Sequence, residues 1–224
     1  NEEEGIETAV LKTHDTFQKT GLDFEIIVIN DDSRDRTGKI ASSVGSRFKN
    51  IQVIHHDRNK GCGAAFKTGI RHATKDYIIF VPIDNPLDTE DIDAYLPRMN
   101  VCDIIVGVRI ERTGYSRFAR FASFVYNRIF IPLLFNIGVG DVNWIQVYRR
   151  DLFTNNLIDF QSTSLFWLVE ILIRAKQKQL IIAEVPSKMK RRIYGKPTCV
   201  KTVVILKTFF EMIKFFFLIR KEKK

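Results

Sequence analysis

Polar side chains follow two apolar runs of this sequence at the points where the runs end. Residues 24–29 are followed by Asn30 and Asp31, and residues 77–81 are followed by Asp84. If these runs are strands of one parallel sheet, their carboxyl ends meet at the edge where open α/β sheets bind ligands. Carboxylate and amide oxygens at such an edge accept hydrogen bonds from a bound molecule, and carboxylates also hold divalent cations. The sequence therefore predicts a ligand site that includes Asp31 and Asp84.

A stretch rich in small residues follows the next apolar run. It contains Asn59, Gly61, Gly63 and Ala64, and small residues at the start of a helix let a ligand or a neighbouring strand approach the backbone closely. The spacing of the two glycines also resembles the start of a dinucleotide-binding fingerprint. Phe66 stands where the third glycine of that fingerprint would be, so the dinucleotide interpretation is weak.

Two adjacent histidines, His55 and His56, precede Asp57 and could be read as a metal-binding cluster. Neighbouring residues at the end of a strand point to opposite faces, so one metal ion cannot easily reach both imidazoles. A structural role is therefore the favoured interpretation, and a metal site is the alternative.

Apolar runs alternate with amphipathic stretches along most of the chain, which is the pattern of an α/β fold. The lengths of the stretches between strands suit right-handed crossovers, and hence a mostly parallel sheet flanked by helices. The predicted strands are residues 24–29, 51–55, 76–81, 103–108, 142–148 and 180–185. The predicted helices are residues 2–20, 35–46, 61–74, 88–99 and 163–176, with an amphipathic helix near the C-terminus.

Charge and cysteine usage limit the classes of partner and compartment. The 224 residues carry a formal net charge of +9, which favours an anionic partner such as a nucleic acid, an anionic membrane surface or a phosphorylated substrate. Cys62, Cys102 and Cys199 are far apart and show neither zinc-site spacing nor a disulfide framework. We therefore expect a reducing, cytoplasmic compartment and one α/β domain with an appendage.

Two Phe-rich segments are predicted to lie at a membrane surface. Residues 117–137 combine basic side chains with Phe, Ile and Leu, and residues 200–224 form an apolar helix with a basic end. Three charges on the second segment, Lys207, Glu211 and Lys214, argue against a bilayer span. An interfacial helix fits this pattern, and a final helix packed on the domain is the alternative.

The motifs together resemble those of the family-2 glycosyltransferases with the GT-A fold. Within that family the chain looks most like the branch that transfers a sugar to dolichyl or polyprenyl phosphate. The resemblance rests on residues 29–35 (INDDSRD), 59–69 (NKGCGAAFKTG), 103–109 (DIIVGVR) and 146–150 (QVYRR). It implies a GT-A, Rossmann-like domain over residues 1–199 and a membrane-proximal tail over residues 200–224. In that family the equivalents of residues 1–4 directly follow a first strand, which this sequence lacks.

The resemblance implies a set of residues that bind the nucleotide-sugar donor. Asp31 would bind the base, Arg109 would face a phosphate, and a basic loop containing Arg192 and Lys196 would close over the diphosphate. The implied donor-binding residues are Asn1, Glu3, Asp31, Ser33, Asn59, Gly61, Ala64, Asp84, Arg109, Arg192 and Lys196.

The sequence departs from the family at the expected Asp-x-Asp motif. In the family those acids hold a divalent cation against the diphosphate, but here Pro82 replaces the first acid and Asp84 keeps the second. Asp84 is thus the one predicted metal ligand and a predicted catalytic residue. Mg²⁺ or Mn²⁺ is compatible with a site that uses one carboxylate together with phosphates and water.

The resemblance also places a lipid phosphate acceptor near the end of the QVYRR strand. Gln146, Arg149 and Arg150 are the implied acceptor-binding residues, and the two arginines are also predicted to be catalytic, because arginine binds phosphate in a bidentate manner. A phosphate acceptor is already anionic at neutral pH, so its attack on the sugar requires no general base.

The sequence therefore predicts an inverting sugar transferase that works at the cytoplasmic face of a membrane. Its partners would be a nucleotide sugar, a polyprenyl phosphate and the membrane surface. Pro82 keeps open a non-catalytic homologue that binds a nucleotide sugar, and a glycosyltransferase with another acceptor is a further alternative. No nucleic-acid partner is expected, because the chain shows no recognisable nucleic-acid-binding motif.

Overall fold

A computed structural model describes residues 1–84, 86–112, 117–189 and 202–222 of the chain. The strands are β1 (Ile26–Asn30), β2 (Ile51–His55), β3 (Tyr77–Ile79), β4 (Ile104–Arg112), β5 (Gln146–Arg149) and β6 (Ile182–Met189). The helices are α1 (Ile6–Lys19), α2 (Thr37–Gly45), α3 (Cys62–His72), α4 (Thr89–Met99), α5 (Arg117–Val125), α6 (Ile131–Phe135), α7 (Asp151–Thr154), α8 (Trp167–Gln177) and α9 (Thr202–Glu222), with a π-helical segment at Tyr126–Phe130. Every predicted strand and helix has a counterpart among these elements.

The strands form two sheets within the described residues. One sheet pairs β1 and β2 in parallel, from Ile26 opposite Ile51 to Asn30 opposite His55. The other has the order β3-β5-β4-β6. In that sheet β4 and β6 are parallel, which agrees with the prediction. Long crossovers connect the strands of each parallel pair, because a parallel neighbour requires the chain to return to the edge at which the first strand began.

Strand β5 runs against both of its neighbours. It pairs in antiparallel fashion with β3, where Tyr77 lies opposite Arg149, and with β4, where Val106 lies opposite Gln146. The chain leaves β4 at its carboxyl end and re-enters the sheet beside Val106, so no crossover to the other edge is needed. The prediction of a mostly parallel sheet did not anticipate this reversal, which decides where the end of β5 lies.

The N-terminal half of the fold brings the carboxyl ends of its strands to one side. Helix α3 starts beside the end of β1 and finishes at the opposite edge, where the side chain of Glu25 accepts hydrogen bonds from Thr74 at 2.6 Å and from Lys75 at 3.2 Å. Strand β3 therefore begins at the same edge as β1. The segments that follow β1, β2 and β3 all lie at the other edge.

Aromatic side chains build the largest core. Phe66 of α3 stacks on Trp167 of α8 with ring centroids 4.2 Å apart, and it also contacts Tyr148 and Phe160. Such contacts bury large apolar areas and hold the rings at fixed angles. Because Phe66 belongs to α3, this core fixes the helix that carries the small-residue stretch.

The C-terminal helix α9 packs on this same core with one face. Met212, Phe215 and Ile219 of α9 are buried there, and Phe135 of α6 contacts Phe215 and Phe216. The opposite face of α9 is exposed. The predicted amphipathic helix is therefore present, and part of it belongs to the folded domain.

The start of α3 lies very close to the backbone of residues 161–164. Gly61 has φ +92°, and a Cβ atom on it would lie 2.5 Å from the carbonyl oxygen of Thr163. A Cβ atom on Gly63 would overlap with the carbonyl oxygen of Ser162. Two glycines thus allow a contact between backbones that no other residue type permits.

We predict opposite effects for two glycine substitutions in α3. Gly63→Ala should lower the free energy of unfolding by about 1–3 kcal/mol, because the methyl group meets rigid backbone. Gly69→Ala should raise it by about 0.4–1 kcal/mol, since nothing lies within 4 Å of its Cβ position and alanine restricts the unfolded chain. Urea denaturation of both variants measures this, and equal stability of the two would contradict the close contact.

Candidate functional site

The Asp31 carboxylate organises the turn at the carboxyl ends of β1 and β2. Its Oδ1 accepts a hydrogen bond from the Lys60 amide at 2.9 Å, and its Oδ2 accepts one from the Gly61 amide at 2.8 Å. The Asn59 side chain donates to the Asp31 carbonyl oxygen at 3.1 Å. The predicted donor-binding residues Asp31, Asn59 and Gly61 are thus brought together, with Asp31 as the acceptor at their centre.

His56 is a partner of Asp31 that the sequence did not reveal as such. Its Nδ1 lies 2.7 Å from Asp31 Oδ1, and its Nε2 lies 2.9 Å from Thr68 Oγ1. Since an ionised carboxylate only accepts hydrogen bonds, Nδ1 carries the proton in this contact. His55 points the other way, toward Asn30 at 3.1 Å and Ser42 at 2.9 Å. The two histidines therefore have separate structural partners on opposite faces, and in the described part of the chain no three His, Cys, Asp or Glu residues form a metal-binding group.

The N-terminal residues line the same edge beside the loop that leads to α2. The Asn1 side chain accepts a hydrogen bond from the Arg34 amide at 2.7 Å, and the Asn1 amino group lies 3.5 Å from Ser33 Oγ. Glu3 Oε2 accepts from the Arg36 amide at 3.1 Å. The predicted residues Asn1, Glu3 and Ser33 therefore lie in the same region, and the contacts of Asn1 and Glu3 with residues 33–36 hold the loop that follows Asp31.

Asp35 belongs to this loop and stabilises it by accepting hydrogen bonds from Glu3 and Thr37. Burial alone would raise the pKa of the Asp35 carboxyl, but hydrogen bonds from the Thr37 hydroxyl and amide and from the Glu3 amide outweigh it and lower the pKa below its ordinary value. The carboxylate is consequently ionised at neutral pH. It fixes the start of α2 relative to the N-terminus.

Asp84 lies on the segment that follows β3, at the same edge of the fold. Its side chain is exposed, whereas the neighbouring Ile83 packs against the apolar cluster of α1, α2 and β2. That packing draws the segment after β3 toward the side of the molecule that carries Asp31. Pro82 and Asp84 thus lie on the segment that follows β3, and Asp84 contributes an exposed carboxylate to this edge.

Arg109 forms a buried ion pair with Asp141. Its Nε lies 2.6 Å from Asp141 Oδ2 and its Nη2 lies 2.7 Å from Oδ1, and the guanidinium is 4.8 Å from the ring centroid of Trp144. The two side chains are 4% and 0% exposed. Bidentate pairing of this kind holds two segments together, here β4 and the loop before β5. Arg109 was predicted to face a phosphate, and the structure gives its guanidinium a structural partner.

Arg149 and Arg150 lie at the opposite edge from Asp31 and Asp84. Arg149 pairs with Asp103 at 3.2 Å and with Asp151, and the Arg150 amide donates to the Asp76 carbonyl oxygen just before β3. This placement follows from the reversed direction of β5. The structure therefore does not bring the two predicted catalytic arginines to the carboxyl ends of β1 and β3.

Gln146, the third predicted acceptor residue, is buried inside the fold. Its Nε2 donates to the Val142 carbonyl oxygen at 3.0 Å, and its Oε1 accepts from the Tyr148 hydroxyl at 2.7 Å. Both ends of the amide have internal partners, and the side chain is 0% exposed. These contacts show a core position.

The remaining predicted residues divide into two groups. Ala64 is half-buried in the first turn of α3, where its carbonyl oxygen accepts from Thr68 at 3.1 Å. Arg192 and Lys196 lie outside the described residues. Next to Ala64, burial raises the pKa of the Cys62 thiol to about 11, so this cysteine is a protonated, poor nucleophile at neutral pH.

Residues 1–157 match the family described as glycosyl transferase family 2. The chain belongs to this family. The match contains β1, β2, β3, β4 and β5, and with them Asp31 and Asp84. The family assignment made from the sequence motifs is confirmed.

Two curated relatives of this chain are named as sugar transferases of dolichyl phosphate. A dolichol-phosphate mannosyltransferase of Pyrococcus furiosus is 26% identical over 203 residues, which cover 87% of this chain and 55% of that protein. A dolichyl-phosphate beta-glucosyltransferase of Trichomonas vaginalis is 26% identical over 180 residues, which cover 73% and 52%. The chain thus spans about half the length of these relatives.

A solved structure with the same fold is glucosyl-3-phosphoglycerate synthase of Mycobacterium tuberculosis in complex with Mn²⁺, uridine diphosphate and phosphoglyceric acid. It is 18% identical, with a TM-score of 0.66 over 88% of this chain and 68% of that chain. At this identity the likeness concerns the fold alone. It confirms the predicted GT-A class of the fold.

We predict that Asp31→Ala lowers the stability of the protein as well as changing its site. The substitution leaves two backbone amides and the His56 imidazole without their acceptor, so the free energy of unfolding should fall by about 1–3 kcal/mol. Asp93→Ala is the control, because Asp93 is an exposed residue of α4 with helical backbone. Urea denaturation compares the two variants, and an unchanged unfolding midpoint for Asp31→Ala would show that Asp31 does not hold the turn.

Proposed function

We propose that this protein transfers a sugar from a nucleotide-sugar donor to a polyprenyl phosphate. The observation that carries the proposal is the family match together with relatives whose names specify dolichyl-phosphate sugar transfer. The site geometry supports it. Three strand ends converge on one edge, and that edge carries the Asp31 turn and the exposed Asp84.

The donor is proposed to bind at this edge, between the Asp31 turn and Asp84. Two of the four oxygen lone-pair directions of Asp31 accept backbone amides and a third faces His56, so one direction remains for a ligand donor such as a base or ribose group. Asn1 and Ser33 supply polar groups beside it. The start of α3 adds the positive end of a helix dipole to a region where a diphosphate would lie.

A divalent cation is proposed to accompany the donor diphosphate. Asp84 would hold the ion, and Mg²⁺ commonly binds through one or two carboxylates with phosphates and water completing its shell. When bound, the ion neutralises the charge that develops on the departing nucleoside diphosphate. The single carboxylate fits an ion that arrives with the donor.

The transfer itself needs little from acidic or basic side chains. An oxygen of the ionised acceptor phosphate attacks the anomeric carbon of the sugar, a new C–O bond forms, and the bond to the nucleoside diphosphate breaks with inversion. The protein holds the two reactants in line, which is the main contribution expected for such a step. Arg149 and Arg150 are left out of this site because of their position at the other edge.

A second candidate function is nucleotide-sugar binding without catalysis. Pro82 favours it, because the residue removes one carboxylate from the position where relatives of the family hold a cation. This alternative predicts donor binding with no turnover. The same experiment separates the two candidates.

The experiment offers full-length protein a panel of nucleotide sugars with polyprenyl phosphate in detergent, with Mg²⁺, with Mn²⁺ or with a chelator. We expect sugar-phospholipid product with one donor, and Asp84→Asn should reduce the rate at least tenfold through loss of a charge-assisted contact. Asp103→Asn is the control, because Asp103 lies at the opposite edge with Arg149. Donor binding without product under every condition would favour the non-catalytic candidate. Absence of both would contradict the proposal.

We propose that the acceptor-binding side of the protein faces the membrane. The surface that would contact the membrane is formed by α5, the π-helical segment, α6 and α9. We call this the apolar surface. The contacts of Phe135 with Phe215 and Phe216 make α6 and α9 neighbours. The members of the apolar surface are large hydrophobic side chains that remain exposed. These side chains are Phe121, Phe124, Ile129, Phe130, Leu133, Val203, Ile205, Leu206, Phe209, Phe210, Phe217 and Leu218.

Basic side chains accompany the apolar surface. Arg128, Lys207, Lys214 and Lys221 are exposed on the same segments, and each Lys or Arg near an anionic membrane contributes about 1 kcal/mol of attraction. Within the described residues, no helix has both the length and the apolar character to cross a bilayer. We therefore propose peripheral association, at the face where the lipid phosphate is presented.

We predict that two charges on the apolar surface release the protein from vesicles. Phe210 and Phe217 are 67% and 58% exposed, so Phe210→Asp combined with Phe217→Asp should abolish flotation with anionic liposomes and leave the melting temperature unchanged. Val101→Asp is the control, since Val101 is 59% exposed elsewhere on the molecule. Point substitutions are preferable to removal of α9, because removal would also strip Met212, Phe215 and Ile219 from the core. Undiminished flotation of the double variant would contradict the assignment of the surface.

A further inference from the structure

Residues 161–164, with the sequence QSTS, form a loop whose amides and hydroxyls donate hydrogen bonds to two glutamates, Glu170 and Glu211. We call it the QSTS loop. Glu170 of α8 accepts hydrogen bonds from the Gln161 amide at 3.0 Å, the Ser162 amide at 2.9 Å and the Ser162 hydroxyl at 2.5 Å. Glu170 is 0% exposed and also pairs with Arg174 of its own helix. The first half of the loop is thus fixed to the main core.

Glu211 of α9 holds the second half of the QSTS loop. Its Oε2 accepts from the Ser164 amide at 3.0 Å and from the Ser164 hydroxyl at 2.6 Å. Its Oε1 accepts from the Thr163 hydroxyl at 3.1 Å and from the Thr163 amide at 3.4 Å. One carboxylate therefore satisfies four donors of two consecutive residues, and charge-assisted hydrogen bonds of this kind are among the stronger ones.

The other side of the QSTS loop contacts the turn that Asp31 organises. The Thr163 carbonyl oxygen accepts a hydrogen bond from the Gly63 amide at 3.1 Å, and it lies 3.6 Å from the Cys62 thiol. The glycine contacts described above leave no room for an intervening side chain or for a shift of the loop toward α3. Thr163 thus joins Glu211 on one side to the start of α3 on the other.

A short chain of contacts connects α9 to Asp31. Glu211 binds the amide and hydroxyl of Thr163, the carbonyl of Thr163 binds Gly63, and the neighbouring Gly61 amide binds Asp31 at 2.8 Å. Each link is a hydrogen bond that involves a backbone group or a carboxylate. The position of the turn therefore depends on a charged side chain of the C-terminal helix, far away in sequence.

We infer that Glu211 is a positioning residue for the donor site, acting through Thr163 on the turn formed by residues 59–63. The assignment of that turn to a nucleotide-sugar donor rests on the proposed function. The mechanical link from Glu211 to the turn stands independently of it. Removal of the carboxylate leaves four donors of the QSTS loop without acceptors, so the loop moves and the start of α3 loses its fixed neighbour.

The test uses the full chain with Glu211→Gln, which keeps the size of the side chain and removes its charge and one acceptor oxygen. Glu222→Gln is the matched control, because it makes the same chemical change at an exposed position of the same helix. Hydrogen exchange followed by mass spectrometry measures the amides of residues 59–66 and, as a remote reference, those of β4. Calorimetric titration with the donor found in the panel experiment measures affinity, and steady-state kinetics give the donor KM and kcat.

Glu211→Gln should speed exchange at residues 59–66 and weaken donor affinity, each roughly tenfold as for one lost hydrogen bond to a charged group. The donor KM should rise without a comparable fall in kcat, and exchange in β4 should not change. Glu222→Gln should match wild type in every measurement. If Glu211→Gln fails to fold, Ser164→Ala removes a single donor to the same carboxylate and should show the same changes at smaller size.

Wild-type exchange at residues 59–66 in a folded Glu211→Gln protein would overturn the inference. Uniformly faster exchange that includes β4 would also overturn it, because that result shows general destabilisation. If wild type binds no nucleotide sugar, the proposed function fails, and the exchange measurement still decides the role of Glu211.

Discussion

The candidate site depends on the hydrogen bonds that the carboxylate of Asp31 accepts. This carboxylate stands at the end of β1 and accepts hydrogen bonds from the amides of Lys60 and Gly61, so the turn after β2 loses both bonds without it. The turn also sets the position at which α3 begins. The contact of Phe66 with Trp167 in the core fixes the direction of α3. Asp31, which was predicted to bind the donor, therefore also stabilises the local fold.

Charged side chains that are buried or partly buried hold segments of this protein in place. Arg109 pairs with Asp141 out of contact with solvent, and Glu170 and Glu211 each collect hydrogen bonds from the QSTS loop. Removing one member of such a set leaves the others buried without partners, which costs far more than the set contributes when complete. The carboxyl-edge loops of the site are consequently supported by charge and hydrogen bonds, while the helices behind them are supported by aromatic packing.

The sequence predicted the strands, the order of the helices and the helix that starts with small residues at Gly61, because hydrophobic periodicity and small residues are local signals. It did not predict the direction of β5, since the pattern of apolar residues in a strand is the same in both directions. Because the direction of β5 was not predicted, Arg149 and Arg150 were expected at the site, whereas they lie at the opposite edge from Asp31. His56, Asp141 and the QSTS loop were missed for a related reason. Their roles depend on partners distant in the chain, such as Glu211 for Thr163, and no local spacing records them.

We propose that the nucleotide sugar binds at the carboxyl edge, beside Asp31 and Asp84, in this member of glycosyl transferase family 2. The most direct measurement is amide chemical-shift mapping by NMR while nucleotide sugars are titrated into the labelled protein. We expect saturable shifts that cluster at Ser33, Lys60, Gly61 and Asp84, with the amides of Asp103, Arg149 and Arg150 unchanged. Shifts that centre on Arg149 and Asp103, with the Asp31 turn unaffected, would place the donor at the opposite edge and contradict the proposed site.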